Sequence, residues 1–399
     1  MSTDPEGAAR ALPDRPNLRH LKNQAKDLLQ AGHAKSLTDA QFQIARLYGF
    51  ASWPKLKANV ESLDEVAGLK RAIDTNDLER VKAMMTRNPE LHHAPLGYGK
   101  DGPLTWVAEC RVPWQPPAPE RLAMAAWMIE AGSDVHQGGD GPLMRASLNS
   151  DRIAMMELLV AHGADVNALW HGGFPIIFAP CEALDPVALQ WLVDHEANPN
   201  CGKETALDYV IGAYMRSPQD LSACIDILLE AGATTRYSVP GFLDLLRGRL
   251  DAVAAQLDAD PALVTRRFPE LDCGTGGGRL LTLKGTTLLH VAAEYSNVEA
   301  AQLLLDRGAD VNAGAAVDEA GIGGQTPIFH AVTQFRDAGF AVAQLLVGRG
   351  ADLSIRAKLP GHYERPGEVV ECTALGYALL FPGGESRSVA LLRKSGGIE

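Results

Sequence analysis

One short segment recurs along the chain and constrains its fold more than any other feature. It consists of an apolar helix end with adjacent leucines, then Gly, then a short polar stretch. The clearest copies are MELLVAHGADVNA at 156–168, AQLLLDRGADVNA at 301–313 and AQLLVGRGADLSI at 343–355. The leucines predict a helix packed against a neighbour, and the Gly predicts a left-handed cap. Because one unit cannot bury its own apolar face, the copies predict a stack.

A second, shorter helix is predicted upstream of each copy. TTLLHVAA at 286–293 and QTPIFHAV at 325–332 begin with Thr, a favoured N-cap residue, and Pro327 takes the first helical position. With the GADVN segments, these stretches resemble the ankyrin repeat, in which T-P-L-H, LL and G-A-D-V-N recur about every 33 residues. The resemblance covers roughly residues 66–399. It implies an all-α fold, an ankyrin-repeat α-solenoid of helix–loop–helix units with hairpin fingers.

The repeats fall into two predicted blocks. FLDLLRGRLDAVAAQLDADPALV at 242–264 matches LKRAIDTNDLERVKAMMTRNPEL at 69–91, and both resemble the divergent opening repeat of an array. We therefore predict one ankyrin block at 65–237 and a second at 238–399.

A small helical module is predicted at 1–64, with helices at 17–31, at 39–47 and after Ser52. It is similar to a segment that often precedes ankyrin arrays in bacterial proteins. One interpretation is a cap that covers the apolar end of the first repeat. A second is a docking surface for an acidic partner, formed by Arg15, Arg19, Lys22 and Lys26, and a third is a weak contact with nucleic acid.

Charge and composition narrow the classes of partner. The net charge is −12, and residues 1–60 hold nine Lys/Arg and five Asp/Glu, so the remaining 339 residues carry −16. Because nucleic-acid binders need a basic surface, this balance argues against DNA or RNA as the partner of the repeats. The start has no apolar leader, and no run reaches the ~18 apolar residues of a membrane span.

Six cysteines are widely spaced and form no CxxC. They predict reduced thiols in a cytoplasmic protein, with neither a disulfide framework nor a zinc site. No metal or cofactor is predicted.

Candidate binding residues come from the inner helices of the repeats. The residue after the T-P-L-H histidine position is large in nearly every unit, and the residue four positions later shares its helix face. The predicted binding residues on these helices are Trp106, Arg145, Phe178, Glu182, Tyr209, Glu294, Tyr295, His330 and Tyr377. Trp170 joins them from a finger. They predict an aromatic column along a groove, although bulky residues here also pack between neighbouring inner helices.

Two classes of function follow. The first is recognition of a cytoplasmic protein partner through the concave groove and finger loops, with a basic partner favoured by the acidic repeats. The alternative is a small-molecule-binding protein or enzyme whose site lies in a groove roofed by long loops, using Arg145, Glu182, Glu294 and His330. Enzymatic activity is left open, and no catalytic residue is assigned. His290, at the T-P-L-H position, is expected to bond to the backbone of an adjacent unit.

Overall fold

The structure is a computed structural model that describes residues 10–13, 16–109, 117–274, 279–362, 364–381 and 386–399. The chain divides into two compact units, Met1–Gln137 and Gly138–Glu399. Within the described ranges, no helix has the length and apolar character required to cross a bilayer.

The first unit is helical in its described residues. Its α-helices are α1 (Leu18–Gln30), α2 (Leu37–Leu47), α3 (Trp53–Asp74), α4 (Leu78–Arg87), α5 (Pro103–Glu109) and α6 (Pro119–Glu130). The side chains of Asn17 and Ser36 accept hydrogen bonds from the first-turn amides of α1 and α2, which fixes where these helices begin. The three helices of the predicted N-terminal module form as expected. Because α3 continues to Asp74, it crosses the predicted boundary at 64/65.

The N-terminal helices bury a small core of their own. Leu21, Ile44, Tyr48 and Leu56 pack together across α1, α2 and α3. The opposite side of α1 exposes Arg19, Lys22 and Lys26, whereas Arg15 lies outside the described residues. The capping and docking interpretations of this module both remain predictions.

The second unit is a stack of helix pairs. Its α-helices are α7 (Gly141–Ala146), α8 (Ile153–Ala161), α9 (Phe178–Ala183), α10 (Pro186–Asp194), α11 (Ala206–Gly212), α12 (Pro218–Glu230), α13 (Phe242–Leu246), α14 (Leu250–Ala259), α15 (Leu288–Glu294), α16 (Val298–Asp306), α17 (Pro327–Ala331), α18 (Phe340–Gly348), α19 (Ala374–Ala378) and α20 (Arg387–Lys394). Each odd-numbered helix pairs with the next. Short first helices pack on one another, as in α15, α17 and α19, and longer second helices do the same in α14, α16, α18 and α20.

The predicted block boundary at 237/238 lies inside this unit, where α12 packs on α13. The three predicted segments stay predictions.

The polar end of the repeat motif links successive repeats. The Asn167 side chain donates to the Glu196 carbonyl at 3.1 Å and accepts from the Asn198 amide at 2.7 Å. Asn312 does the same several repeats later, donating to the Gly350 carbonyl and accepting from the Asp352 amide. The final Asn of GADVN is therefore a backbone clamp between repeats, which explains why the motif keeps it.

The helix caps before this motif require a left-handed backbone. Gly163 and Gly308 have φ of +97° and +90°, a region that favours glycine. Glu196 occupies the equivalent position at φ +66°. This copy keeps the same cap geometry despite its side chain.

Among the described residues of the second unit, two antiparallel hairpins form fingers. Strands β1 (Leu169–Trp170) and β2 (Phe174–Pro175) pair Trp170 with Phe174 across a three-residue loop. Strands β3 (Ala357–Pro360) and β4 (Val369–Cys372) form the second hairpin. Gly323, from the preceding finger, donates its amide to the Lys358 carbonyl at 2.8 Å.

Candidate functional site

An aromatic cluster of Trp170, Phe174, Phe178 and Tyr209 lies at the base of the first finger. The hairpin places Trp170 edge-on to Phe174, with ring centroids 6.0 Å apart. Phe174 in turn lies edge-on to Phe178 and to Tyr209, at 5.8 Å from each. Trp170, Phe174 and Tyr209 are half-buried, so their rings are partly open to solvent. One finger and two successive first helices therefore meet at a single apolar surface.

The floor of the aromatic cluster is a stacked pair. The Phe178 ring, at the start of α9, lies 4.3 Å from the Tyr209 ring of α11, with 18° between their planes. Phe178 is buried by this contact, whereas Tyr209 is not. Tyr209 also points its hydroxyl towards Glu182 of α9, with 3.5 Å between the oxygens. Burial and the nearby Glu182 carboxylate raise the pKa of Tyr209, so the phenol stays protonated.

Arg145, on α7, is half-buried, and its carbonyl accepts a hydrogen bond from Arg152 at 3.0 Å. Arg145, Phe178 and Tyr209 therefore each stand on the first helix of successive repeats, as the motif predicts. In this part of the stack, Arg145 and Tyr209 remain partly accessible, whereas Phe178 is buried.

The later positions form a buried ion cluster of Glu294, Arg216, Arg279 and His330. The Glu294 carboxylate lies 2.5 Å from a guanidinium nitrogen of Arg216 and 2.5 Å from one of Arg279. His330 Nδ1 of α17 lies 2.8 Å from the other Glu294 oxygen. Burial alone would raise the pKa of Glu294, but the charges of Arg279 and Arg216 hold it below its usual range. Burial lowers the pKa of His330 despite the adjacent carboxylate, so its ring is neutral.

The expectation that Glu294, Tyr295, His330 and Tyr377 line an accessible surface is wrong, because all four side chains are buried. The Tyr295 hydroxyl donates to the Ile211 carbonyl at 2.7 Å, and the Tyr377 hydroxyl donates to the Pro360 carbonyl of β3 at 3.2 Å. Loops and strands distant in sequence fold over these first helices. Phe178 is likewise sealed, but by its stacking partner.

Trp106, in the first unit, is also buried, with 8% of its surface exposed. Its indole nitrogen donates to Asp74 at 2.7 Å, and the Lys70 ammonium lies 4.2 Å from the ring centroid. The expectation of an exposed Trp106 is therefore wrong, and the side chain belongs to the packing of α5 on α3.

The polar set of the alternative function does not converge on one accessible site. Glu294 and His330 are in contact but sealed, whereas Glu182 lies beside Tyr209. His290 accepts the Thr287 amide hydrogen at Nδ1, 3.2 Å away, and its Nε2 lies 3.0 Å from the Gln325 carbonyl. It thus bonds to backbone of an adjacent unit, as expected.

Three residues of these two clusters were not predicted from the sequence. Phe174 lies just before the helix that carries Phe178. It pairs with Trp170 in a tight hairpin, and the short spacing between these two residues could have indicated that contact from the sequence. Arg216 and Arg279 lie in insertions of no regular pattern, so nothing in the repeat predicts that both reach Glu294. Such long-range pairings have no local signature.

A groove of about 370 Å³ lies among the later fingers. Its walls are mainly apolar and include Leu280, Leu281, Val317, Ile322 and Leu359. Over the described residues, no group of three or more His, Cys, Asp or Glu side chains could hold a metal ion. The described cysteines are all free thiols.

Comparison with known proteins identifies the repeats. The family model "Ankyrin repeats (3 copies)" matches residues 252–357, and the model "Ankyrin repeat" matches 138–170. An ankyrin repeat protein of Fowlpox virus (strain NVSL), FPV022, is 22% identical over 275 residues, which are 67% of this chain and 45% of the viral protein. The chain thus spans less than half of that relative's length.

Among solved structures, the human ASB11 ankyrin repeat domain is 19% identical, with a TM-score of 0.33. The match covers 75% of this chain and 99% of the ASB11 chain. The family models cover the GADVN segments, so the chain contains ankyrin repeats at residues 138–170 and 252–357.

Proposed function

We propose that this chain binds a protein partner and that the aromatic cluster is the centre of its binding surface. Ankyrin repeats generally mediate protein–protein interaction. The observation that supports this surface is the set of half-buried rings, Trp170, Phe174 and Tyr209, beside an accessible carboxylate. Rigid aromatic side chains dominate binding hot spots because they bury much apolar area at a low entropy cost.

The cluster is preorganised for that role. Each ring is held by edge-on or stacked contacts to another ring, and the hairpin backbone fixes Trp170 opposite Phe174. Little conformational freedom is lost when a partner packs against such a surface.

The test compares proteins retained from native lysate by the full chain and by variants. Trp170→Ala and Tyr209→Ala should lose the same retained protein. Trp191→Ala is the matched control, because Trp191 is equally half-buried but stacks on His195 of the second helix α10. A retained protein that both cluster variants keep would refute this surface as the binding site.

A second candidate function is binding of a small apolar ligand in the finger groove. Its volume of about 370 Å³ falls within the range of ligand sites, and Val317 and Leu280 on its walls are 59% and 40% exposed. The fluorescence of 8-anilinonaphthalene-1-sulfonate, an anionic dye with an apolar ring system, should rise with wild-type protein and rise less with Val317→Asp. Equal signals from both proteins would remove this candidate.

We also propose a cytoplasmic location. The free thiols of the described cysteines support it, since oxidising compartments favour disulfides. Fractionation of the source cells, followed by immunoblotting of each fraction, tests it.

A further inference from the structure

Glu182 is an accessible carboxylate that has no counter-ion among the described residues. It is half-buried at the end of α9, and its hydrogen-bonding neighbour is the Tyr209 hydroxyl at the long distance of 3.5 Å. In the part of the chain that the structure describes, no Lys, Arg or His nitrogen lies within ion-pair distance of it. Glu65 and Glu294, which are also withdrawn from solvent, are both paired with arginine.

The surroundings of Glu182 suit a cation better than an anion or a neutral group. The negative charge lies beside the stacked rings of Phe178 and Tyr209, with Phe174 edge-on to both. Aromatic faces carry negative electrostatic potential and attract cations. A half-buried carboxylate adds a charge-assisted hydrogen bond, which is about twice as strong as a neutral one.

We propose that the aromatic cluster and Glu182 bind an arginine side chain presented by the partner. This inference rests on the proposed function and names the chemistry of its central contact. The guanidinium stacks on the Tyr209 ring and donates to the Glu182 carboxylate. Arginine fits better than lysine because its planar group can stack and pair at once, whereas an ammonium is a compact and strongly hydrated charge.

The wider charge of the chain supports the same partner chemistry. Residues 61–399 carry a net charge of −16, so the repeats attract basic segments over distances set by ionic strength. The aromatic cluster supplies the short-range contacts on which such a segment settles. The Glu182 carboxylate has no favourable electrostatic interaction with the ring faces themselves, whereas a cation between them would interact favourably with both.

The experiment selects peptides from a random library displayed on phage, using the full-length chain as bait. Peptides that bind wild type but not Trp170→Ala should share an arginine at a fixed position. The best peptide is then synthesised with arginine, lysine or citrulline there, and its affinity is measured for wild type and for Glu182→Gln. Citrulline keeps the shape of arginine and removes its charge.

For wild type, we expect replacement of arginine by citrulline to weaken binding roughly tenfold. For Glu182→Gln, most of this preference should disappear, and only the smaller part that the aromatic faces contribute should remain. Glu230→Gln, which changes the same charge at an exposed position on α12, should keep the wild-type preference. Equal thermal midpoints of all proteins establish that each is folded.

The outcomes separate this inference from the proposed function. If peptides bind through Trp170 but share no basic position, or if Glu182→Gln keeps the full wild-type preference for arginine, the arginine site is wrong and the binding surface stands. If no selected peptide depends on Trp170, the proposed surface itself fails.

Discussion

The aromatic cluster and the buried ion cluster occupy equivalent positions in different repeats of one unit, yet their environments are opposite. Around Phe178 and Tyr209 the first helices stay partly open, and the finger beside them adds further ring surface. Around Glu294 and His330, two arginines from distant loops reach in and seal the same helix face. The repeat therefore supplies equivalent sites, and the insertions decide which of them become surface and which become core.

This comparison also separates two uses of charge. Glu294 is fully buried and compensated by two guanidinium groups, so its interactions belong to stability. Glu182 is accessible and has no counter-ion among the described residues, which is consistent with the contact proposed for it. Matched substitutions in the two clusters should therefore have different consequences.

The largest expected difference in stability is between substitutions of Glu294 and of Glu182. Glu294→Ala should lower the free energy of unfolding by about 3–5 kcal/mol, because Arg216 and Arg279 would remain buried without a counter-ion. Glu182→Ala should change it by less than about 0.5 kcal/mol. Urea unfolding followed by circular dichroism measures both. Similar losses in the two variants would break the distinction between the clusters.

The tryptophan pair extends the comparison to the first unit. Trp106→Ala should cost about 3 kcal/mol, since the ring is buried and its nitrogen is bonded to Asp74. Trp170→Ala should cost about 1 kcal/mol and mainly affect partner binding. Thermal and chemical denaturation of both variants measures these two losses. A Trp106→Ala protein as stable as wild type would contradict the burial of Trp106.

Low pH should reduce the free energy of unfolding, because the second unit buries His290. Burial lowers the pKa of His290 from 6.5 to about 3. Below pH 6.5 the unfolded chain binds a proton that the folded chain does not, so stability is full above this pH and falls as the pH drops towards 3.

The control for this pH effect is His290→Gln, whose unfolding free energy should depend less on pH between 6.5 and 3. Denaturation curves collected across that range compare the two proteins. Parallel pH profiles for wild type and variant would show that His290 does not carry the effect.

The smallest effect distinguishes two tyrosine hydroxyls. Tyr295→Phe should cost about 1–2 kcal/mol, because the Ile211 carbonyl loses a buried donor at 2.7 Å. Tyr209→Phe should cost less than about 0.5 kcal/mol, since its hydroxyl makes only a long contact to Glu182 near solvent. Unfolding measured in the same urea series resolves this difference, and reversal of the order would contradict the burial of the two rings.

Much of the fold could be predicted from the sequence because the signals are local. The leucine pairs, the glycine caps and the Thr or Ser N-caps each act within a few residues, and the helix pairs form where these signals lie. His290 was also predictable, since its bonds are set by its own cap and by the next finger. The candidate site was predicted only in part: the sequence indicated Trp170, Phe178 and Tyr209 but placed Tyr295 and Tyr377 in the same accessible column.

By itself, the sequence determined that this chain is a stack of two-helix repeats with bulky residues at one recurring position. Tertiary structure alone decided which of those residues a partner can reach. The reason is physical: burial depends on segments that arrive from tens of residues away, such as Arg216, which lies 78 positions before Glu294. No local pattern encodes such a contact, because it arises only when the stack has formed and the loops have folded back onto it.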